Sequence, residues 1–153
     1  RAAEKKLFDT PEEAPADKEY ELDQEAVRSL QEALNADGIT DADGKALVID
    51  GIKGPDTTAA IKKVLLQSGL FDTKTARFGV GSTGEIVKWM QMRLNTVIGQ
   101  QIVELLGAEY GLTADGKFGN DTRLVVGLFQ EMRGLKLDYK VGINTITELL
   151  YVA

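Results

Sequence analysis

Two copies of one short motif place carboxylates, glycines and hydroxyls at a fixed spacing. They are DGIKGPDT at 50–57 (turn motif 1) and DGKFGNDT at 115–122 (turn motif 2), separated by an offset of 65 residues. Such residues can hydrogen-bond a polar ligand, or they can form a turn and cap a helix. A shorter version, DYKVGINT at 138–145 (turn motif 3), keeps the Asp, the second Gly and the Thr. The repetition predicts that one structural unit occurs more than once.

The spacing within each motif predicts a tight turn followed by the start of a helix. A Gly three residues before a Thr suits a left-handed turn residue, and the Thr or the preceding Asp can then bind free helix N–H groups. A Ser or Thr three residues before Glu predicts a capping box. The expected caps are Asp23, Asp56 or Thr57, Asp121 or Thr122, and the boxes Ser82–Glu85 and Thr145–Glu148.

The flanking stretches have the period of amphipathic helices. VRSLQEALN at 27–35 recurs as VKWMQMRLN at 87–95. Apolar residues share one face in each copy, and Gln31 and Gln91 lie in the middle of that face. Because a buried amide needs partners, we expect both glutamines to bind loop backbone. Gly69 and Gly134 are placed to end the helices that follow motifs 1 and 2.

Composition excludes several function classes. The 153 residues carry a formal charge of −6 and no basic run, which argues against nucleic acid and against anionic lipid. No apolar run approaches the ~20 residues of a membrane span. The chain has no Cys and no His, so cysteine nucleophiles, histidine bases and the usual zinc sites are excluded. The chain begins at Arg1, and we expect it to be a piece of a longer, processed protein.

Residues 78–153 resemble the peptidoglycan-binding domain family, the small three-helix modules attached to bacterial and phage cell-wall hydrolases. The family pattern V-x-x-L-Q-x-x-L appears as VKWMQMRL at 87–94, and D-G-x-F-G-x-x-T appears as turn motif 2. F-Q-x-x-x-G-L follows as FQEMRGL at 129–135, and turn motif 3 stands for D-G-x-V-G-x-x-T, with Tyr139 in place of its Gly. Residues 22–77 are similar but weaker, since Lys53 replaces the aromatic and FDTKTARFG replaces the last motif.

The resemblance implies an all-α fold of two tandem three-helix repeats. The predicted divisions are a tether at 1–21, a divergent repeat at 22–77 and a second repeat at 78–153. The implied function is non-catalytic binding of peptidoglycan that anchors a fused hydrolase, such as a phage endolysin or autolysin, without a cofactor. It also implies a secreted protein that acts at the bacterial cell wall, or one that is delivered to the host wall if it is phage-encoded.

The motifs and the nearby aromatic residues supply the candidate ligand-binding residues. They are Asp50, Gly51, Gly54, Thr57, Trp89, Tyr110, Asp115, Gly116, Phe118, Gly119, Asp121, Thr122 and Tyr139. Phe118 either plugs the space between loop and helices or stacks on a ligand, and Trp89 either packs between the repeats or contacts a sugar. Tyr110 and Tyr139 have the same two alternatives. We favour Tyr139 as the contact, because a large ring occupies a turn position that usually takes Gly.

Three alternatives stay open. Asp41-x-Asp43-Gly44 with Asp50 partly fits a calcium loop, although a polar turn explains it as well. A pair of carboxylates alone can hydrolyse a glycoside, so the chain can be a glycosidase in its own right. The same modules can also belong to a phage virion protein that docks on the wall.

Overall fold

The computed structural model describes residues 21–68, 70–71, 76–107 and 111–151, and these residues are mostly helical. The elements are α1 (Gln24–Ala36), α2 (Pro55–Ser68), β1 (Leu70–Phe71), β2 (Ala76–Arg77), α3 (Glu85–Leu106), α4 (Asn120–Met132) and α5 (Ile143–Leu149). The described residues form five helices and a single antiparallel pair of two-residue strands. Because the helices make up nearly all of the regular structure, the all-α prediction is confirmed. Predictions for residues 1–20, Gly69 and Tyr110 fall outside the described residues. No helix among the described residues is long and apolar enough to cross a membrane.

Helix α1 forms as its sequence predicts. The Asp23 carboxylate accepts hydrogen bonds from the backbone N–H groups of Glu25 and Ala26, so the predicted cap is confirmed. The apolar stripe of α1 is fully buried and packs mainly against α3. At the far end of α4, Gly134 has φ +69° and follows the C-cap, as its predicted role requires.

The helices after the three turn motifs begin two or three residues earlier than predicted. Glycine is the N-cap of α4 (Gly119) and α5 (Gly142), and neither helix has a side-chain capping bond. Helix α2 likewise begins at Pro55, directly after a glycine. The predicted caps at Asp56 or Thr57 and at Asp121 or Thr122 are therefore wrong, and so is the Thr145–Glu148 capping box. The threonine hydroxyls are instead turned inward and used for another contact, described below.

The start of α3 is capped by a residue from another helix. Asp37, the C-cap of α1, accepts hydrogen bonds from Glu85 N and Ile86 N, each at 2.9 Å. The predicted Ser82–Glu85 capping box is wrong, since Ser82 Oγ accepts from Gly79 N at 3.1 Å instead. A carboxylate at this position stabilises the positive end of the helix dipole. The same contact fixes the position of α1 relative to α3.

The beginning and end of the described chain are tied together through a buried arginine. Arg93 on α3 is 7% exposed, and its Nε donates to Leu149 O at 2.8 Å. Its Nη2 donates to Tyr151 O at 3.1 Å, while Nη1 lies 3.7 Å from the Asp23 carboxylate. Burial lowers the pKa of Arg93, and the nearby Asp23 charge opposes that shift. Both halves of the chain contribute to one continuous hydrophobic core.

The stretch 22–77 contains two helices among its described residues, where three were predicted. The α2 helix leads into the β1–β2 pair, and Phe78 then pairs with Val141 of turn motif 3. At the offset of 65 residues, Leu65 of α2 occupies the place of Gln130 in α4. That glutamine holds turn motif 3 in the second half, and leucine cannot make its hydrogen bonds.

Candidate functional site

Each turn motif is held by one buried glutamine from a preceding helix. In turn motif 2, Gln91 Nε2 lies within hydrogen-bonding distance of Asp115 Oδ1 (3.3 Å), Lys117 O (2.9 Å) and Thr122 Oγ1 (3.0 Å). Its Oε1 accepts from Gly116 N at 2.9 Å. The Gln91 side chain is fully buried, so these contacts supply all its polar partners. We call this arrangement the glutamine clamp.

The glutamine clamp recurs in the other two motifs. Gln31 contacts Asp50, Ile52 and Thr57 in turn motif 1 at 3.0–3.2 Å. Gln130 contacts Asp138, Lys140 and Thr145 in turn motif 3 at 2.7–3.2 Å. The predicted roles of Gln31 and Gln91 are confirmed. Gln130 was not predicted, although it precedes turn motif 3 on the apolar face of α4 and so carried the same signal.

The left-handed residue of each motif is the second one. Gly51 and Gly116 have φ +74° and +75°, and their N–H groups donate to the clamping glutamines. A Cβ would also approach backbone closely, 3.2 Å from Gln24 O at Gly51 and 3.1 Å from Gly84 O at Gly116. The prediction placed this conformation at the later glycine, which is wrong, because Gly119 has an extended backbone. Both left-handed glycines are buried and thus structural.

Tyr139 occupies the left-handed position in turn motif 3, with φ +61°. Its ring lies against Gly127 of α4, where an added Cβ would overlap the ring carbons. The Arg123 guanidinium covers the ring, 4.4 Å from its centre. The expectation of an exposed ring is wrong, since Tyr139 is partly buried, with Gly127 beside the ring and Arg123 over one face. Glycine at 127 provides the space that the tyrosine fills.

Gly127→Ala is expected to destabilise the protein by about 1–3 kcal/mol, the usual range for overpacking. The new Cβ would displace the Tyr139 ring from α4. Chemical denaturation of Gly127→Ala, Tyr139→Gly and the double variant measures this coupling. The double variant should be more stable than Gly127→Ala alone, because Tyr139→Gly frees the space and also suits positive φ. Equal destabilisation in both backgrounds would contradict the assigned contact.

The side chains of Phe118 and Trp89 are both buried. Phe118 is 2% exposed, which confirms its role as a plug inside turn motif 2. Trp89 is 4% exposed, and its Nε1–H donates to Ser29 Oγ on α1 at 2.9 Å. Trp89 therefore packs between α1 and α3, as the packing alternative predicted. Neither ring offers a face on which a ligand can stack.

The acidic stretch near Asp41 is a polar turn. Asp41 Oδ1 accepts from Asp43 N and Lys45 N, each at 2.9 Å. The bond from Lys45 is the main reason that the pKa of Asp41 is lowered. No group of three or more His, Cys, Asp or Glu side chains that could hold a metal lies among the described residues.

Two asparagines that were not singled out from the sequence support the motifs. Asn35 exchanges hydrogen bonds with Leu47 through its Nδ2 (3.0 Å) and Oδ1 (2.9 Å). Asn95 does the same with Leu112 at 2.7 and 2.9 Å. The sequence did contain a signal for these contacts. Each Asn ends a copy of the repeated helix, and each copy has a Leu three residues before the motif Asp.

A groove opens on the outer side of turn motif 2. This motif 2 groove has a volume of about 360 Å³ and is lined by Gln91, Leu112, Thr113, Asp115, Lys117, Gly119, Asn120, Asp121 and Thr122. Asp115, Asn120 and Asp121 are exposed, whereas Thr122 is buried in the clamp. The Lys117 N–H and then the Gln91 amide lower the pKa of Asp115, so its carboxylate stays ionised at neutral pH. The groove thus presents hydrogen-bond acceptors on a fixed turn.

The equivalent face of turn motif 3 borders a second groove. This motif 3 groove has a volume of about 430 Å³ and is lined by Lys62, Leu65, Leu66, Arg77, Gln130, Leu135, Lys136, Asp138, Gly142, Ile143, Asn144 and Thr145.

In turn motif 1, Asp50 is exposed while Gly51 and Thr57 are buried, and Gly54 is partly exposed. The Ile52 N–H and then the Gln31 amide lower the pKa of Asp50, as their counterparts do at Asp115.

Comparison with known proteins supports the family resemblance. Residues 83–149 match the family model described as "Putative peptidoglycan binding domain", and this range includes the whole of α3, turn motif 2, α4, turn motif 3 and α5. The family resemblance is confirmed for this stretch, which is less than half of the chain. No curated protein and no solved structure matches the chain.

Proposed function

We propose that this protein is a non-catalytic peptidoglycan-binding region that anchors a fused cell-wall hydrolase, such as a phage endolysin or autolysin, to its substrate. Residues 83–149 match a peptidoglycan-binding domain, which supports a role in cell-wall binding. Tethering makes each attack on the wall nearly intramolecular and so raises the effective concentration of the enzyme. The proposed site of action is the bacterial cell wall, which the protein reaches by secretion or, if it is phage-encoded, by delivery to the host wall.

The observation that carries the proposal is that some side chains of turn motif 2 face inward and hold the turn, while others face the groove. Gln91, Gly116 and Thr122 face inward and hold the turn. Asp115, Asn120 and Asp121 face the motif 2 groove and are exposed. Because the glutamine clamp holds the backbone, these outward groups need little ordering when they bind hydroxyls or amides of the wall polymer.

The carboxylates support binding more than catalysis. A glycosidase needs one carboxyl with a raised pKa that can act as a general acid. At Asp41, Asp50 and Asp115 the pKa is instead lowered. The cause is hydrogen bonding from backbone N–H groups within the turns, which keeps these groups ionised.

We include residues 22–77 in the proposal as a divergent copy of the module, with residues 1–21 as the tether. The copy has the same glutamine clamp, the same left-handed glycine and the same Asn–Leu support as turn motif 2. Its exposed groups differ, since Ile52 is 62% exposed where turn motif 2 has Lys117. The proposed ligand contacts are therefore concentrated in residues 78–153.

The full chain is expected to sediment with purified cell-wall sacculi and to release no soluble muropeptide. In the double variant Asn120→Ala/Asp121→Ala, the apparent Kd should rise about fivefold or more, because each lost hydrogen bond is worth ~1 kcal/mol. The matched control is Gln101→Ala/Glu104→Ala, which removes one amide and one carboxylate from an exposed part of α3. Cosedimentation and muropeptide release are measured together.

Three results would count against the proposal. Failure of the wild-type chain to sediment contradicts wall binding. Clearing of the sacculus suspension contradicts the non-catalytic assignment. Equal losses in the groove variant and in its control would remove the motif 2 groove from the site.

A further inference from the structure

The motif 3 groove is built from two distant parts of the chain. Gln130, Asp138, Gly142 and Thr145 come from the stretch that matches the family model. Lys62, Leu65 and Leu66 come from α2 and Arg77 from β2, all outside that match. The properties of this groove therefore depend on residues outside the family match as well as inside it.

The two grooves share a framework but differ in charge. The motif 2 groove has one lysine and two aspartates, whereas the motif 3 groove has Lys62, Arg77 and Lys136 with one aspartate. This excess of positive charge occurs in a chain whose formal charge is −6. An anion is therefore favoured in the motif 3 groove and disfavoured in the motif 2 groove.

The cations differ in how they are held. Arg77 Nε lies 3.4 Å from Asp138 Oδ2, and a Cβ on Gly142 would lie 3.4 Å from Arg77 Cγ. The arginine thus packs over the start of α5 and is anchored at the groove. Lys62 and Lys136 are exposed, and within the described residues neither makes a hydrogen bond or ion pair. Both ammonium groups remain available to a ligand.

The walls of the motif 3 groove are aliphatic. Leu65, Leu135 and Ile143 are buried or partly buried, while Leu66 is 63% exposed beside them. Among the described residues that line the groove there is no aromatic side chain. Small aliphatic side chains of a ligand would fit such walls, with the cations at the rim.

We propose that the motif 3 groove binds a short aliphatic peptide through a free carboxylate, with Lys62 and Lys136 as the ligands for that charge. Resting on the proposed function, this assigns the groove to the peptide part of peptidoglycan, which carries alanine methyl groups and carboxylates. Arg77 positions Asp138 and leaves the two lysines to meet the anion. The motif 2 groove, with its excess of acceptors, then serves the hydroxyl and amide groups of the polymer.

The test uses an N-acetylated tripeptide that ends in D-alanyl-D-alanine with a free carboxylate, and the same peptide as its C-terminal amide. Isothermal titration calorimetry of the full chain should show tighter binding of the acid than of the amide. In Lys62→Gln/Lys136→Gln that preference should fall by about threefold or more, since exposed ion pairs are individually modest. Lys117→Gln, which removes one charge from the motif 2 groove, should keep the preference.

Each outcome bears on the groove separately from the proposed function. Equal binding of acid and amide by the wild-type chain, or no binding of either, overturns the inference even when the chain sediments with sacculi. Loss of the preference in Lys117→Gln, but not in the double variant, places the carboxylate in the other groove and also overturns it. Binding of the acid without sedimentation would support the groove and contradict the wall-anchoring function.

Discussion

Gln91→Ala is expected to lower the free energy of unfolding by about 3 kcal/mol, because it leaves several buried polar groups without partners. Gln91 is fully buried and joins Asp115, Gly116, Lys117 and Thr122 through one side-chain amide. Removing it takes the partner from two buried groups, the N–H of Gly116 and the hydroxyl of Thr122. Chemical denaturation at neutral pH gives the free energy directly.

Two further variants separate hydrogen bonding from the loss of volume at position 91. Gln91→Glu keeps the size and one acceptor but removes the amide donors, and it sets a carboxylate beside Asp115. It should be at least as unstable as Gln91→Ala. Gln67→Ala removes an exposed glutamine of α2 and should change the stability by less than about 0.5 kcal/mol. A stable Gln91→Glu protein would contradict the glutamine clamp.

Trp89→Ala is expected to destabilise the protein by about 4 kcal/mol, within the usual range for removing a buried tryptophan. The ring is 4% exposed and lies between α1 and α3, the helix pair with the most extensive contact in the fold. Its loss leaves a cavity where the two halves of the chain meet. Thermal unfolding followed by circular dichroism should show a large drop in Tm.

Trp89→Phe is the control that keeps most of the apolar burial. It removes the indole N–H that donates to Ser29 Oγ, and we expect a loss of about 1–2 kcal/mol. An unchanged Tm in Trp89→Ala, together with weaker binding to sacculi, would contradict the interface and return Trp89 to the candidate ligand contacts.

The candidate site was predictable only in part. The motif residues were found from their repetition, and Gln31 and Gln91 from a polar residue on an apolar face. Which motif side chains face outward was not predictable, because Asp and Thr side chains can each either hold a turn or bind a ligand. The structure turns Thr122 toward Gln91 and leaves Asp121 exposed. That choice depends on where α3 passes behind the turn.

Capping shows the same limit of local reasoning. Asp23 caps α1 as predicted, because the carboxylate and the two N–H groups lie within three residues and need only the local backbone. The capping box predicted at Ser82–Glu85 is equally local. The start of α3 is nevertheless capped by Asp37, which lies 48 residues before Glu85. A carboxylate brought in by packing can outcompete a local box, and no pattern within one turn reveals it.

Tyr139 shows most clearly the difference between what the local sequence predicts and what tertiary packing decides. Its place in the repeat predicted an unusual turn position, and φ +61° agrees with that, since the motif backbone is set by local geometry. The fate of its ring depended on Gly127 and Arg123, which reach it only when α4 packs beside turn motif 3. The sequence alone determined the helical class, the three turn motifs and the burial of Gln31 and Gln91, because periodicity and turn chemistry act over a few residues. Tertiary structure alone decided which aromatic rings are buried, which residue caps α3 and which cations meet in the motif 3 groove, because each depends on contacts between residues far apart in the chain.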